Sequence, residues 1–116
     1  MKPIVLEWIE KAEADFATLG REMRARKEPN YDGACFHAQQ CIEKYMKALL
    51  TEWRIAFPRT HDLVALLDLV LERSPHWEVH REDMAFLSEY SVHYRYPGTA
   101  ADKPAAMNAH ARCMRG

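Results

Sequence analysis

Six prolines, at positions 3, 29, 58, 75, 97 and 104, cut this chain into stretches of helix length. Proline is accepted in loops and in the first turn of a helix. It breaks a helix interior, because it lacks an N–H and its ring clashes with the preceding turn. The intervals 4–28, 30–57, 59–74, 76–96 and 105–116 are therefore the units available for regular structure, and each carries a helical pattern of apolar residues. Strands are a poor alternative. Valine, isoleucine and threonine number only 5, 4 and 4, and glycine only 4.

The first interval predicts a helix from about Ile4 to Lys27. Val5, Trp8, Ile9, Ala12, Phe16, Leu19 and Met23 recur at steps of three and four, one apolar stripe. Gly20 is costly inside it and marks either a kink or a close helix contact. Arg21, Arg24, Arg26 and Lys27 complement the negative end of the helix dipole. A second helix is expected from an Asn30 N-cap, with Asp32 in its first turn, to about Trp53. Its buried face is read as Ala34, Ala38, Cys41, Ile42, Tyr45, Ala48 and Leu49, with Glu43 and Lys47 as an i,i+4 pair on the outer face. A third helix takes Thr60 as cap and Asp62 in its first turn, buries Leu63, Leu66, Leu67, Val70 and Leu71, and ends at Ser74-Pro75. A fourth covers Val79 to Tyr94, aligning Asp83, Met84, Leu87, Tyr90, Ser91 and Tyr94. Pro97 breaks the chain after it, and Asp102, with Pro104 in the first turn, opens a short C-terminal helix. The expectation is one all-α domain over 1–116, an antiparallel up-down bundle of four long helices plus that short one.

Composition excludes some functions. Sixteen basic against seventeen acidic side chains give a net charge of −1, and neither half hides an excess: 9 of each sign in 1–58, 7 positive and 8 negative in 59–116. A binder working by bulk positive charge is ruled out. The N-terminus reaches Glu7 before an apolar run forms, and Leu63 to Leu71 is interrupted by Asp68, so neither a secretory signal nor a membrane span is expected. Three cysteines, an odd number without a CxxC, read as reduced thiols in a cytoplasmic protein. No phosphate-binding loop, dinucleotide fingerprint, HExxH or GxSxG motif is present, and no cofactor is expected.

The text from Cys35 to Leu50, CFHAQQCIEKYMKALL, resembles the FHAQQAxEKxLKALL segment of HEPN domains. Thr60-His-Asp-Leu followed by Leu66-Leu67 is similar to the family's HxLxxLL turn, and Arg95-Tyr96-Pro97 to its RYP motif. Ala14-Asp15 stands where the family's first helix carries an Ala/Asp pair. The matches span about residues 5–98 in order. The resemblance implies a bundle of four or five helices, usually dimeric. It also implies a role as partner of a minimal nucleotidyltransferase, often as a toxin–antitoxin pair, or as a nucleotide-binding subunit, or as a metal-independent ribonuclease using an Arg-x4–6-His motif. Arg95 matches the family arginine. Ala100, Ala101 and Asp102 stand where its histidine is expected, and His93 is a non-standard substitute. Arg54 and His61, and Arg73 and His80, share an Arg-x6-His spacing, but ten arginines and six histidines supply about that many matches by chance.

The remaining candidates each have two readings. Arg95 offers a guanidinium fork to a phosphate, or it satisfies the last carbonyls of the fourth helix or pairs with Asp15. Tyr96 stacks on a base or anchors the loop before Pro97. Lys44 and Lys47 form a cationic patch with Arg95, or a solvated face paired with Glu43 and Glu52. His61 titrates in a cleft or completes the turn before the third helix. Cys35, His37 and Cys41 have metal-like spacing, but zinc needs three or four ligands and Cys113 is remote. A core histidine with two small buried thiols is the simpler reading. The expectation is a homodimeric, non-catalytic subunit binding nucleotide or RNA, or a nucleotidyltransferase, with Arg95, Tyr96, Lys44, Lys47 and His61 as ligand residues and no metal. A ribonuclease using Arg95 with His93, and a purely structural dimer, are the alternatives.

Overall fold

The computed structural model of the chain describes residues 2–24, 31–88, 107, 110 and 112. Among these, all regular structure is helical: α1 over Pro3–Arg24, α2 over Tyr31–Glu52, α3 over Leu63–Val70, a 3₁₀ helix over Pro75–His80, and α4 over Arg81–Ser88. Several expectations fall outside the described residues: the Asn30 cap, Arg26 and Lys27, the stretch from Tyr90 through Tyr94, the break at Pro97, and Asp102, Pro104 and Cys113.

α2 is the axis of the structure. α1 packs on it from one side, α3 and α4 from the other, and α1 contacts neither of those two. A helix covered on opposite sides buries far more than one stripe. Ala34, Cys35, Ala38, Cys41, Ile42, Met46, Ala48 and Leu50 are all buried, and so are Gln39, Glu43 and Lys47. The outer-face placement of Glu43 and Lys47 is thereby corrected. The buried face also gains Met46 and Leu50 over the expected set, while Tyr45 and Leu49 are only half-buried. The core continues through Leu19 of α1, Leu63, Leu66, Leu67 and Val70 of α3, and Met84 and Leu87 of α4.

Helix ends explain the other departures. Pro3 opens α1, the position where its missing N–H costs nothing. Of the predicted α1 stripe, Val5, Ala12 and Leu19 are buried, whereas Phe16 is exposed. Beside Gly20 the nearest atoms beyond the local backbone belong to Arg24, whose guanidinium lies 3.1 Å from where a Cβ would stand. The space is filled by α1's own side chain and not by a second helix. The N-cap of α3 is Asp62, not Thr60. The Asp62 carboxylate accepts from Val64 N at 3.0 Å and Ala65 N at 3.4 Å, while Thr60 Oγ1 accepts from Asp62 N. The interval after Pro75 begins as a 3₁₀ turn with proline in its first turn, and Val79, the expected start of the fourth helix, lies in that turn, 79% exposed. Ser88 Oγ then accepts from Leu63 N at 2.8 Å, tying the end of α4 to the start of α3.

α2 ends in a Schellman turn. Ile55 N donates to Leu50 O at 2.9 Å and Arg54 N to Thr51 O at 3.1 Å, with Arg54 at φ 58°. Ile55 packs back on the core that Leu50 belongs to, the hydrophobic contact that usually accompanies this cap.

Candidate functional site

Three carboxylates are buried among the described residues: Asp83 of α4, which accepts from Arg112 at 2.9 Å, and Asp15 and Glu43, each surrounded by several nitrogen donors. Asp15 comes from α1 and is 8% exposed; Glu43 comes from α2 and is 3% exposed. Burying an unpaired carboxylate is prohibitively costly, so each must be neutralised and hydrogen-bonded where it stands.

Asp15 is met by two residues of α2. His37 Nδ1 lies 2.8 Å from Oδ1, and Lys44 Nζ donates to Oδ2. His37 and Lys44 are seven residues apart, two turns of one helix face, so a single carboxylate on α1 receives both. Lys44 is thus paired across the α1–α2 contact, and not with the acids of its own helix as the solvated-face reading has it.

Glu43 gathers a larger set. Gln39 Nε2 donates to Oε1 at 3.0 Å, His61 Nδ1 lies 2.8 Å from the same oxygen, and Lys47 Nζ donates to Oε2 at 3.1 Å. Gln39, fully buried, also donates to the carbonyl of His61 at 3.0 Å and accepts from Gln40 at 2.7 Å. The carboxylate can only accept, so the proton in its bond with His61 sits on Nδ1. The ring is 55% exposed, with its other nitrogen on the edge away from Glu43. Lys47 is capped on two more sides, with Nζ 5.6 Å from the centre of the Trp8 ring and 6.0 Å from that of Phe57. Among the described residues no buried side-chain nitrogen or oxygen lacks a partner.

Of the residues singled out from sequence, Lys44 therefore falls in the Asp15 cluster, and Lys47 and His61 fall in the Glu43 cluster, with Lys47 buried. Arg95, Tyr96 and His93 lie outside the described residues. Cys35 and Cys41 are buried and form no disulfide with each other, and His37 turns to Asp15. Among the described residues no three His, Cys, Asp or Glu side chains are grouped to hold a metal ion. Sequence reasoning missed Gln39 and the burial of Glu43. The available signal was the run of small residues Ala34, Ala38 and Cys41 alongside them, which allows close approach of a neighbouring helix and hence burial of what lies between. Elsewhere, an apolar groove of about 340 Å³ runs between Val5 and Ile9 of α1 and Tyr45 and Leu49 of α2, with Trp77 at its rim. It has no cationic lining and does not adjoin the chemistry of Asp15 or Glu43.

A family model described as HEPN domain matches residues 5–114, nearly the whole chain. The chain belongs to the HEPN domain family. The HEPN match runs through all four helices and through the α2 segment that carries the polar system. Neither the curated proteins nor the solved structures contain a match to this HEPN chain. No helix among its described residues is long and apolar enough to cross a membrane.

Proposed function

We propose that this HEPN domain is a non-catalytic subunit that binds nucleotide or RNA and partners a minimal nucleotidyltransferase. It is of the RYP-containing type and acts in a toxin–antitoxin-like, cytoplasmic module. The whole of 1–116 is taken as one domain, packed as an antiparallel bundle and working as a symmetric homodimer. The observation that carries this reading is in the sequence: no histidine stands where the family's ribonuclease motif places one. His37, Lys44, Lys47 and the adjoining His61 are bound to internal carboxylates and hold α1, α2 and the α2–α3 segment together. A base is required for the 2′-hydroxyl in metal-independent RNA cleavage, and arginine cannot serve, because it stays protonated. At the family's histidine position this chain has Ala100, Ala101 and Asp102.

Ligand contact is assigned to Arg95 and Tyr96, and to Lys44 and His61, with the buried Lys47 supporting His61 through Glu43. The test is a pair of assays on the purified chain. Polarisation with a labelled single-stranded RNA and calorimetry with ATP are expected to give weak binding that drops in Arg95→Ala. The same RNA incubated with protein is expected to stay intact. Cleavage that survives repurification and is lost in both Arg95→Ala and His93→Ala overturns the non-catalytic reading. Light scattering is expected to give a dimer of the 13.5 kDa chain; a monomer at tens of micromolar removes the assembly from the proposal.

A further inference from the structure

The segment between α2 and α3 is built more firmly than a connecting loop needs to be. Ile55 and Phe57 turn inward and pack on the core, while Arg54, Ala56, Pro58 and Arg59 are exposed. The segment is tied down at three points. Its start is the Schellman turn on Leu50 and Thr51. Its middle is Phe57 against the buried Lys47, and its end is His61, held by Glu43 through the ring and by Gln39 through the backbone. Lys47 and Glu43 are themselves an ion pair, so the segment is anchored twice to one buried feature.

On this fixed frame stand two arginines without an ion pair or hydrogen bond among the described residues. Arg54 occupies the one described non-glycine position with positive φ, 58°. Glycine is the residue that suits that position, and a branched-off side chain there is held at a conformational cost. Strain of this kind concentrates where the side chain serves something other than the fold. The neighbouring acids do not cancel the site. Asp62 and Glu52 are exposed acids near the segment, and neither is paired with Arg54 or Arg59.

We infer that Arg54 and Arg59 form a phosphate-binding edge on this tethered segment, taking the phosphodiester backbone of single-stranded RNA or the phosphates of a nucleotide, with His61 as the positioning residue that fixes the segment on Glu43. The guanidinium fork matches phosphate oxygens, and a rigid carrier means little order is lost on binding. The inference rests on the nucleotide- or RNA-binding reading above and gives it a second point of attachment, independent of Arg95.

The experiment measures binding of a labelled single-stranded RNA across a salt series, and of ATP at one salt. It compares wild type, Arg54→Gly with Arg59→Ser, Arg95→Ala, and Lys2→Ala with Lys11→Ala. Glycine suits the turn at 54 and Arg59 is exposed, so the loop variant keeps its fold, checked by its thermal midpoint. Each cation that neutralises a phosphate of a single strand adds about 0.7 to the slope of log K against log salt, so its removal lowers the slope by that amount. The loop variant is expected to bind RNA about tenfold more weakly at about 0.1 M salt, with a slope reduced by about 1.4. The Lys2/Lys11 control, which removes the same charge from α1 and the residue before it, keeps the wild-type slope. RNA weakened with ATP unchanged assigns the edge to a polymer backbone; both weakened assigns it to phosphates of a single nucleotide. A loop variant that binds like wild type while Arg95→Ala loses binding overturns this inference and leaves the broader reading standing. So does a control that loses as much as the loop variant. A wild-type chain that binds neither probe overturns the reading itself, and the inference with it.

Discussion

Glu43 and Lys47, one turn apart on α2, form an ion pair of 3.1 Å whose side chains are only 4% and 9% exposed. The pair sits where three parts of the chain meet. Trp8 of α1 and Phe57 of the α2–α3 segment face the ammonium, and His61 and Gln39 complete the carboxylate. Removing one member of such a pair leaves a buried charge without compensation, which costs about 3–5 kcal/mol. Lys47→Met is therefore expected to lower unfolding stability by about that much in urea titrations. The double variant Lys47→Met with Glu43→Gln, in which neither charge remains, is expected to lose less than the two single changes added together. A strictly additive double variant would mean that the two groups do not interact.

Asp15 fastens α1 to α2 by the same logic with different partners. Its carboxylate takes both His37 and Lys44, and it lies on the buried face between Ala12 and Leu19. Hydrogen bonds to a charged group contribute about 1.5–3 kcal/mol. Asp15→Ala is expected to destabilise by about 3 kcal/mol and to raise hydrogen exchange in α1 more than in α3. Among the described helices α1 contacts only α2, so its loosening should leave the α3–α4 contact in place. Equal exchange increases in both regions would show that α1 is not held separately.

These two carboxylates also mark where the sequence can and cannot be read. The helix positions are legible, because prolines and three-and-four spacing speak directly of backbone and of an apolar stripe. The cap of α3 falls two residues beyond the expected Thr60, since Thr60 and Asp62 are both good caps and only the geometry decides which carboxylate or hydroxyl faces Val64 N. Spacing alone makes Glu43 and Lys47 a surface pair, because i,i+4 opposite charges most often are one. Pair spacing on one helix cannot say how many neighbours that helix has, and α2 has them on both sides. His61 stands at the expected turn, but its partner lies 18 residues away on α2, a relation that no local pattern encodes.

Arg54 gives a prediction of opposite sign. At φ 58° its backbone is in the left-handed region while its exposed side chain has no hydrogen bond or ion pair among the described residues. Glycine at this position of a Schellman turn removes the Cβ penalty, offset in part by the greater freedom of an unfolded glycine. Arg54→Gly is expected to stabilise the chain by about 0.5–1 kcal/mol, and Arg54→Val, β-branched, to destabilise it by at least as much. Calorimetric midpoints that fall for glycine would contradict the turn geometry.

Arg81 ties the 3₁₀ turn to α3, and its pairing with Glu78 sets a pH dependence. Arg81 Nε donates to Glu78 at 2.6 Å, and one of its terminal nitrogens donates to Asp68 at 2.8 Å. The hydrogen bond from Arg81 holds the Glu78 carboxyl below the ordinary carboxylate range, against opposing pushes from partial desolvation and, less, from Asp68. Glu78 and then Asp68 hold the guanidinium above its usual value, so it stays charged throughout. A carboxyl whose pKa is lower folded than unfolded adds stability above its unfolded pKa. That stability is lost as pH falls through the folded one. The difference in urea stability between wild type and Glu78→Gln is therefore expected to favour wild type at about pH 7 and to shrink steadily as pH falls below the ordinary carboxylate range. Because the pair is exposed, the difference will be small and will shrink further in about 1 M salt. A wild-type advantage that persists undiminished at the acid end would assign it to packing of the Glu78 side chain and not to its charge.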